Sequence, residues 1–118
     1  MGLDMYLYEK EVNEVAYWRK ANAIHGWIIN RTNRIDDCTP IELSKKDIIE
    51  LRDTCLQVLE VNEPDYAEEI LPPTSGFFFG SSEIDEWYWS NLRETAEKLT
   101  TIIDQSVEDA TFEYQASW

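Results

Sequence analysis

The feature that most constrains this chain is an apolar stripe in its C-terminal third. Ile84, Tyr88, Leu92, Thr95, Leu99 and Ile102 recur at three- and four-residue spacing, which is one face of a helix. Ser82 with Asp85 supplies a start signal, so the pattern predicts a helix from about 83 to 106. At 1.5 Å per residue that helix is roughly 36 Å long. A chain of 118 residues has room for one domain of about that width. The rest of the chain must therefore cover this helix along its apolar side.

Both ends of the chain change period. Leu3, Met5 and Leu7 alternate with Asp4, Tyr6 and Tyr8, and residues 110–118 alternate again through Phe112, Tyr114, Ala116 and Trp118. Period two with aromatic partners reads as half-buried strand. The two terminal strands are expected to pair antiparallel.

Two more helices are read between them. From Glu14 to about Arg31, Tyr17, Ala21, Ile24 and Ile28 share one face, flanked by Trp18, His25 and Ile29. Gly26 weakens that helix by roughly 1 kcal/mol relative to alanine, which allows a kink or an early end. Residues 32–40 read as a connection. Ser44 can then cap a second helix with Asp47 at its third position, and Leu43 can staple onto Ile48. Its stripe of Ile48, Leu51, Cys55 and Leu59 runs to about Val61, where Asn62-Glu63-Pro64 ends it. Residues 62–82 show no clear periodicity. The expected fold is α+β, with the terminal strands paired antiparallel and about three helices packed on one face. Without repeats, low-complexity tracts or a linker, residues 1–118 read as a single domain.

Charge narrows the function classes. Twenty-four acids against ten bases leave a net charge of −14, while 43% hydrophobic residues argue against disorder. Direct binding to nucleic acid needs a basic face, so no nucleic-acid contact is expected. No apolar stretch approaches the ~20 residues of a membrane span, and Met1-Gly2-Leu3-Asp4 opens no signal peptide; the expectation is a cytoplasmic protein away from membranes. The charge is uneven. No acid occurs between Val15 and Ile35, where Arg19, Lys20, Arg31 and Arg34 lie. On one continuous helix Lys20, Trp27, Arg31 and Arg34 would line one side. They could hold an anion or an aromatic ring, or pair with the acidic remainder of the domain. Acids cluster at Glu60, Glu63, Asp65, Glu68 and Glu69, at Glu83, Asp85 and Glu86, and at Glu108 and Asp109. Such clusters serve cation binding, acid–base work, imitation of DNA phosphate charge, or plain solubility.

Cysteine and histidine usage leaves little for metal or redox chemistry. Cys38, Cys55 and the single His25 read as reduced thiols and a lone imidazole, with no zinc spacing, phosphate loop or calcium loop. No metal, cofactor or catalytic residue is expected. A Cys38–His25 pair is conceivable if the 32–38 turn folds back, but a packed, hydrogen-bonded histidine is the plainer reading.

The aromatic residues carry the site candidates. Phe77, Phe78 and Phe79, between Gly76 and Gly80, precede Glu86-Trp87-Tyr88-Trp89. Successive helical side chains point about 100° apart, so Trp87, Tyr88 and Trp89 cannot all be buried on one side, and some must pack under residues 62–82, the plainer reading, or face solvent. An acidic, aromatic-anchored partner surface is expected from Phe77, Phe78, Phe79, Glu83, Asp85, Glu86, Trp87 and Trp89. The alternative is a small-molecule or nucleotide cleft, with or without enzyme chemistry, between the first helix and residues 72–80. There Arg19, Lys20, Asn22 and His25 would hold an anionic group beside Ser75 and Gly76, with Trp18 or Trp27 stacking on a ring.

Met1-Gly-Leu-Asp-Met-Tyr-Leu-Tyr8, Tyr17-Trp-Arg-Lys-Ala-Asn-Ala-Ile-His-Gly-Trp27 and Leu71-Pro-Pro-Thr-Ser-Gly-Phe-Phe-Phe-Gly80 are specific strings. Over nearly its whole length the chain resembles a family of small proteins of phages, prophages and bacteria that has no established activity. The resemblance carries over no catalytic residue. It implies a phage-related setting, in which small acidic proteins often inhibit host machinery that acts on nucleic acid. The partner expected on that ground is a host protein, and the chain itself is expected to be non-enzymatic.

Overall fold

The alternation at the two ends of the chain becomes the centre of a sheet. A computed structural model describes residues 3–9, 13–19, 21–32, 40–73 and 83–117, with backbone alone at 13, 14, 19 and 117. Strand β1 (Asp4–Glu9) pairs antiparallel with the last strand, β4 (Thr111–Ser117), Asp4 lying opposite Ser117 and Glu9 opposite Phe112. Two further strands flank this pair. They are β2 (Asn13–Arg19), antiparallel to β1, and β3 (Ile41–Ser44), antiparallel to β4. The sheet order is β2-β1-β4-β3. Among the described residues four helices complete the α+β fold: α1 (Asn22–Thr32), α2 (Lys45–Val61), α3 (Pro64–Ile70) and α4 (Glu86–Gln105).

Strand β2 corrects the expected helix over 14–31. Ala16 and Trp18 are buried while Tyr17 is exposed, an alternation that only a strand produces. Ala21, Ile24 and Ile28 are indeed one buried helical face. Tyr17 matched that spacing by coincidence, and α1 starts at Asn22. Gly26 neither ends nor shortens it, and it lies mid-helix. A register shift between Leu7 and Tyr8, where Ala16 and then Glu14 stand opposite, leaves Val15 as the extra residue of a bulge. Bulges of this kind blunt edge strands, which β2 is.

Three other boundaries differ from expectation. The segment before the second helix is strand β3, whose Ile41 and Leu43 point into the core. Part of the aperiodic 62–82 stretch is α3, seven residues with Pro64 in its first turn and one buried residue, Ala67. A helix so short shows no readable period. The long helix begins at Glu86, capped by Asp85, whose side chain accepts from the Tyr88 N–H at 3.1 Å; Ser82 lies outside the described residues.

The second helix forms as its sequence directs. Ser44 Oγ accepts from the Asp47 N–H at 3.2 Å, and Asp47 Oδ2 accepts from the Ser44 N–H at 2.9 Å. Burial works to raise the Asp47 carboxyl. The hydrogen bonds from Ser44 and the nearby Arg31 guanidinium outweigh it and hold the carboxyl below its usual value. At the other end Asn62 adopts φ 54°, ψ 40°, and its N–H closes on the Val58 carbonyl. Asparagine tolerates this left-handed geometry better than most residues.

The core joins the inner face of the sheet to α1, α2 and α4, with Leu7, Leu43, Ile48, Leu51, Leu92 and Leu99 fully enclosed. Polar ties cross it. Trp18 Nε1 donates to Thr95 Oγ1 at 2.8 Å, joining β2 to α4. His25 Nδ1 and the Tyr114 hydroxyl lie 2.6 Å apart, joining α1 to β4. Lys98 Nζ donates to the Tyr17 carbonyl at 2.6 Å and lies 5.6 Å from the Trp18 ring centroid.

Candidate functional site

The start of α4 sorts its three consecutive aromatics into three environments. Tyr88 is buried, and its hydroxyl donates to the Leu71 carbonyl at 2.7 Å. Burial, then the neighbouring Cys55 and Glu68, push its phenol well above the ordinary range. Trp89 is half-buried and meets the Tyr88 ring edge-on, with centroids 5.2 Å apart. Trp87 is 52% exposed. It stands among exposed Glu83, Asp85 and Glu86. On α3, Asp65, Glu68 and Glu69 are exposed as well, and the Tyr88 bond to Leu71, the residue that caps the end of α3, ties that helix end to α4.

This end of the molecule is an indole set in carboxylates. Among its acids, Asp85 serves the cap and Glu86 reaches Arg93 at 2.8 Å. That exposed pair is worth little, because solvent screens both charges. The expected partner residues Glu83, Asp85, Glu86, Trp87 and Trp89 are therefore neighbours here. Phe77, Phe78 and Phe79 lie outside the described residues.

The residues expected to form the alternative cleft take separate positions. Trp18 and His25 face the interior, each tied to a buried hydroxyl. Asn22 is buried and lines a shallow recess with Glu83 and Trp87. Trp27 is half-buried in a different place, a groove between α1 and α2. Arg19 stands opposite Asp4 in the register of β2. Lys20, Arg34, Cys38, Ser75 and Gly76 lie outside the described residues. Of the expected cationic side, Lys20 and Arg34 thus go undescribed, and Trp27 and Arg31 stand on α1. Arg31 pairs across to α2, with Asp47 at 3.2 Å and Glu50 at 2.6 Å. The acidic remainder of the domain thus takes up this cation.

The groove itself has a volume of about 530 Å³, within the range of sites for small ligands. Buried Ala23, Gly26 and Leu71 lie at its depth, and Trp27, Asn30 and Gln57 stand around them. Asn30 and Gln57 carried no recognisable signal in the sequence. Gly26 did, as a glycine inside a helical pattern.

Cys55 is enclosed in the core, where burial pushes its thiol up to about 12. It is protonated at neutral pH and inert as a nucleophile. Among the described residues no group of three or more His, Cys, Asp or Glu side chains is placed to hold a metal ion, and no helix is long and apolar enough to cross a membrane. No family model, curated protein or solved structure matches the chain.

Proposed function

We propose that this protein is a non-enzymatic accessory protein of phage or prophage type, and that it binds a host protein through the acidic end built from α3 and the start of α4. The observation that carries this reading is Trp87, half exposed in the first turn of α4 and flanked in the chain by exposed Glu83, Asp85 and Glu86. Exposed tryptophans held on rigid elements make the anchors of protein interfaces, and burying one supplies most of the affinity of a small contact. The surrounding charge speeds and orients the encounter with a basic partner surface. A net charge of −14 suits a partner whose own surface binds nucleic acid. In such a pairing the acidic end occupies the groove that phosphates otherwise fill.

The test is capture of partners from host lysate by the tagged full chain at low and at high salt, repeated with Trp87→Ala. A partner retained at low salt, released at high salt and lost with Trp87→Ala supports the reading. Capture indifferent to salt, or unchanged by Trp87→Ala, overturns it.

A further inference from the structure

Gly26 is the residue that α1 has least intrinsic reason to contain. It lies mid-helix and buried, and it lines the groove between α1 and α2. A methyl group at that position would take up part of the space, so the glycine keeps the groove deep where a better helix former would fill it. Beside it Trp27 offers a flat apolar surface, half-buried and so held in place by its neighbours. Farther out stand the carboxamides of Asn30 and Gln57, the latter steadied by donating its amide nitrogen to the Tyr66 hydroxyl.

The electrostatics select against an anion. Arg31, the cation on this wall, is already held by Asp47 at 3.2 Å and Glu50 at 2.6 Å. Asp53 adds another carboxylate to the lining, paired with Arg52 at 2.7 Å. A phosphate entering here meets carboxylates and a guanidinium that is already engaged. What fits is flat and uncharged, with donors and acceptors along one edge. A carboxamide sets an NH2 with two donors beside an acceptor oxygen, so Gln57 keeps one N–H and its oxygen for the edge of a nucleobase while the other N–H serves Tyr66.

We infer that the groove between α1 and α2 binds a phosphate-free nucleoside, its base stacked on Trp27 above Gly26 and its polar edge turned to Asn30 and Gln57. This goes beyond the partner reading. Trp87 takes no part in it, and either can fail while the other stands.

The experiment is a titration of the full chain followed at the Trp27 indole N–H in a nitrogen–proton NMR spectrum, the resonance being assigned with Trp27→Phe. Adenosine, guanosine, cytidine and uridine are the probes, and the monophosphate of whichever binds is the charged control. At least one nucleoside should shift the Trp27 resonance to saturation. Its monophosphate should bind at least tenfold more weakly. Gly26→Ala should weaken the nucleoside at least tenfold while the chain stays folded by circular dichroism. Should Gly26→Ala fail to fold, the solvent-side variants Asn30→Ala and Gln57→Ala take its place, and each should weaken binding at least fivefold. The inference is overturned if no nucleoside saturates the resonance, if the monophosphate binds as well or better, or if the affinity survives these substitutions.

Discussion

Trp18 and Trp87 both stand at α4, and the molecule uses them in opposite ways. Trp18 is 3% exposed, and its indole nitrogen donates to Thr95 at 2.8 Å. Trp87 is 52% exposed in the first turn, among acids. The difference teaches that the surroundings of an aromatic residue here are set by what lies over it. Where the sheet covers α4, an indole fills the core and its one polar atom is satisfied inside. At the helix start Tyr88 is buried and Trp89 half-buried, and the Trp87 indole between the acids is left half exposed.

The comparison breaks first at Trp18. Trp18→Ala removes a large buried ring and the donor to Thr95, and it should cost about 3–5 kcal/mol. That corresponds to a fall in Tm of at least roughly 12 °C for a domain of this size, measured by thermal or urea unfolding. A loss under about 1 kcal/mol would mean that Trp18 is no more structural than Trp87. Tyr114→Phe is the next largest change. It deletes the hydroxyl that meets His25 and leaves the ring volume intact, so about 1–3 kcal/mol should be lost with no change in fold by circular dichroism.

Ser44→Ala comes third, at about 1 kcal/mol from the lost cap. It also sharpens the acid limb of stability. The Asp47 carboxyl is held below its ordinary value of 3.8 in the folded chain, so its contribution is present above pH 3.8 and disappears as pH falls through the folded value. Both Ser44→Ala and Asp47→Asn should flatten the dependence of stability on pH below about pH 4. An acid limb equally steep in Asp47→Asn would move the origin of that dependence to other carboxylates. Trp87→Ala should have the smallest effect on folding, within about 0.5 kcal/mol. The same substitution should weaken partner capture at least tenfold. A marked fall in Tm would show that Trp87 belongs to the core after all.

Legibility followed the range of the interactions involved. The cap at Ser44 and Asp47, the stop at Asn62 and the stripe from Tyr88 to Ile102 rest on residues three or four apart, and all three could be read directly. So could the pairing of the chain ends, because two alternating segments at opposite termini need a common partner. Strand β2 could not. Its Tyr17 and Trp18 continue the helical spacing of Ala21, Ile24 and Ile28 until β1 is laid beside them, and only the ladder from Asp4 to Glu9 decides. Helix α3 was hidden because seven residues with a single buried side chain carry no period.

The candidate sites divide along the same line. That Trp87, Tyr88 and Trp89 could not share one buried side, so that one had to pack under residues 62–82 or face solvent, followed from helical geometry alone. That it is Trp87 depended on Leu71, whose carbonyl accepts the Tyr88 hydroxyl and so turns Tyr88 inward. His25 and Trp27 looked alike as ligand groups two positions apart. Tyr114 drew the first into the core, while the space between α1 and α2 left the second at a groove. By itself the sequence determined the α+β class, the capped helices and the acidic surface, because periodicity, capping and charge are local properties. The tertiary structure alone decided which aromatic faces solvent and which cation is neutralised, because both depend on residues that meet only when distant elements pack.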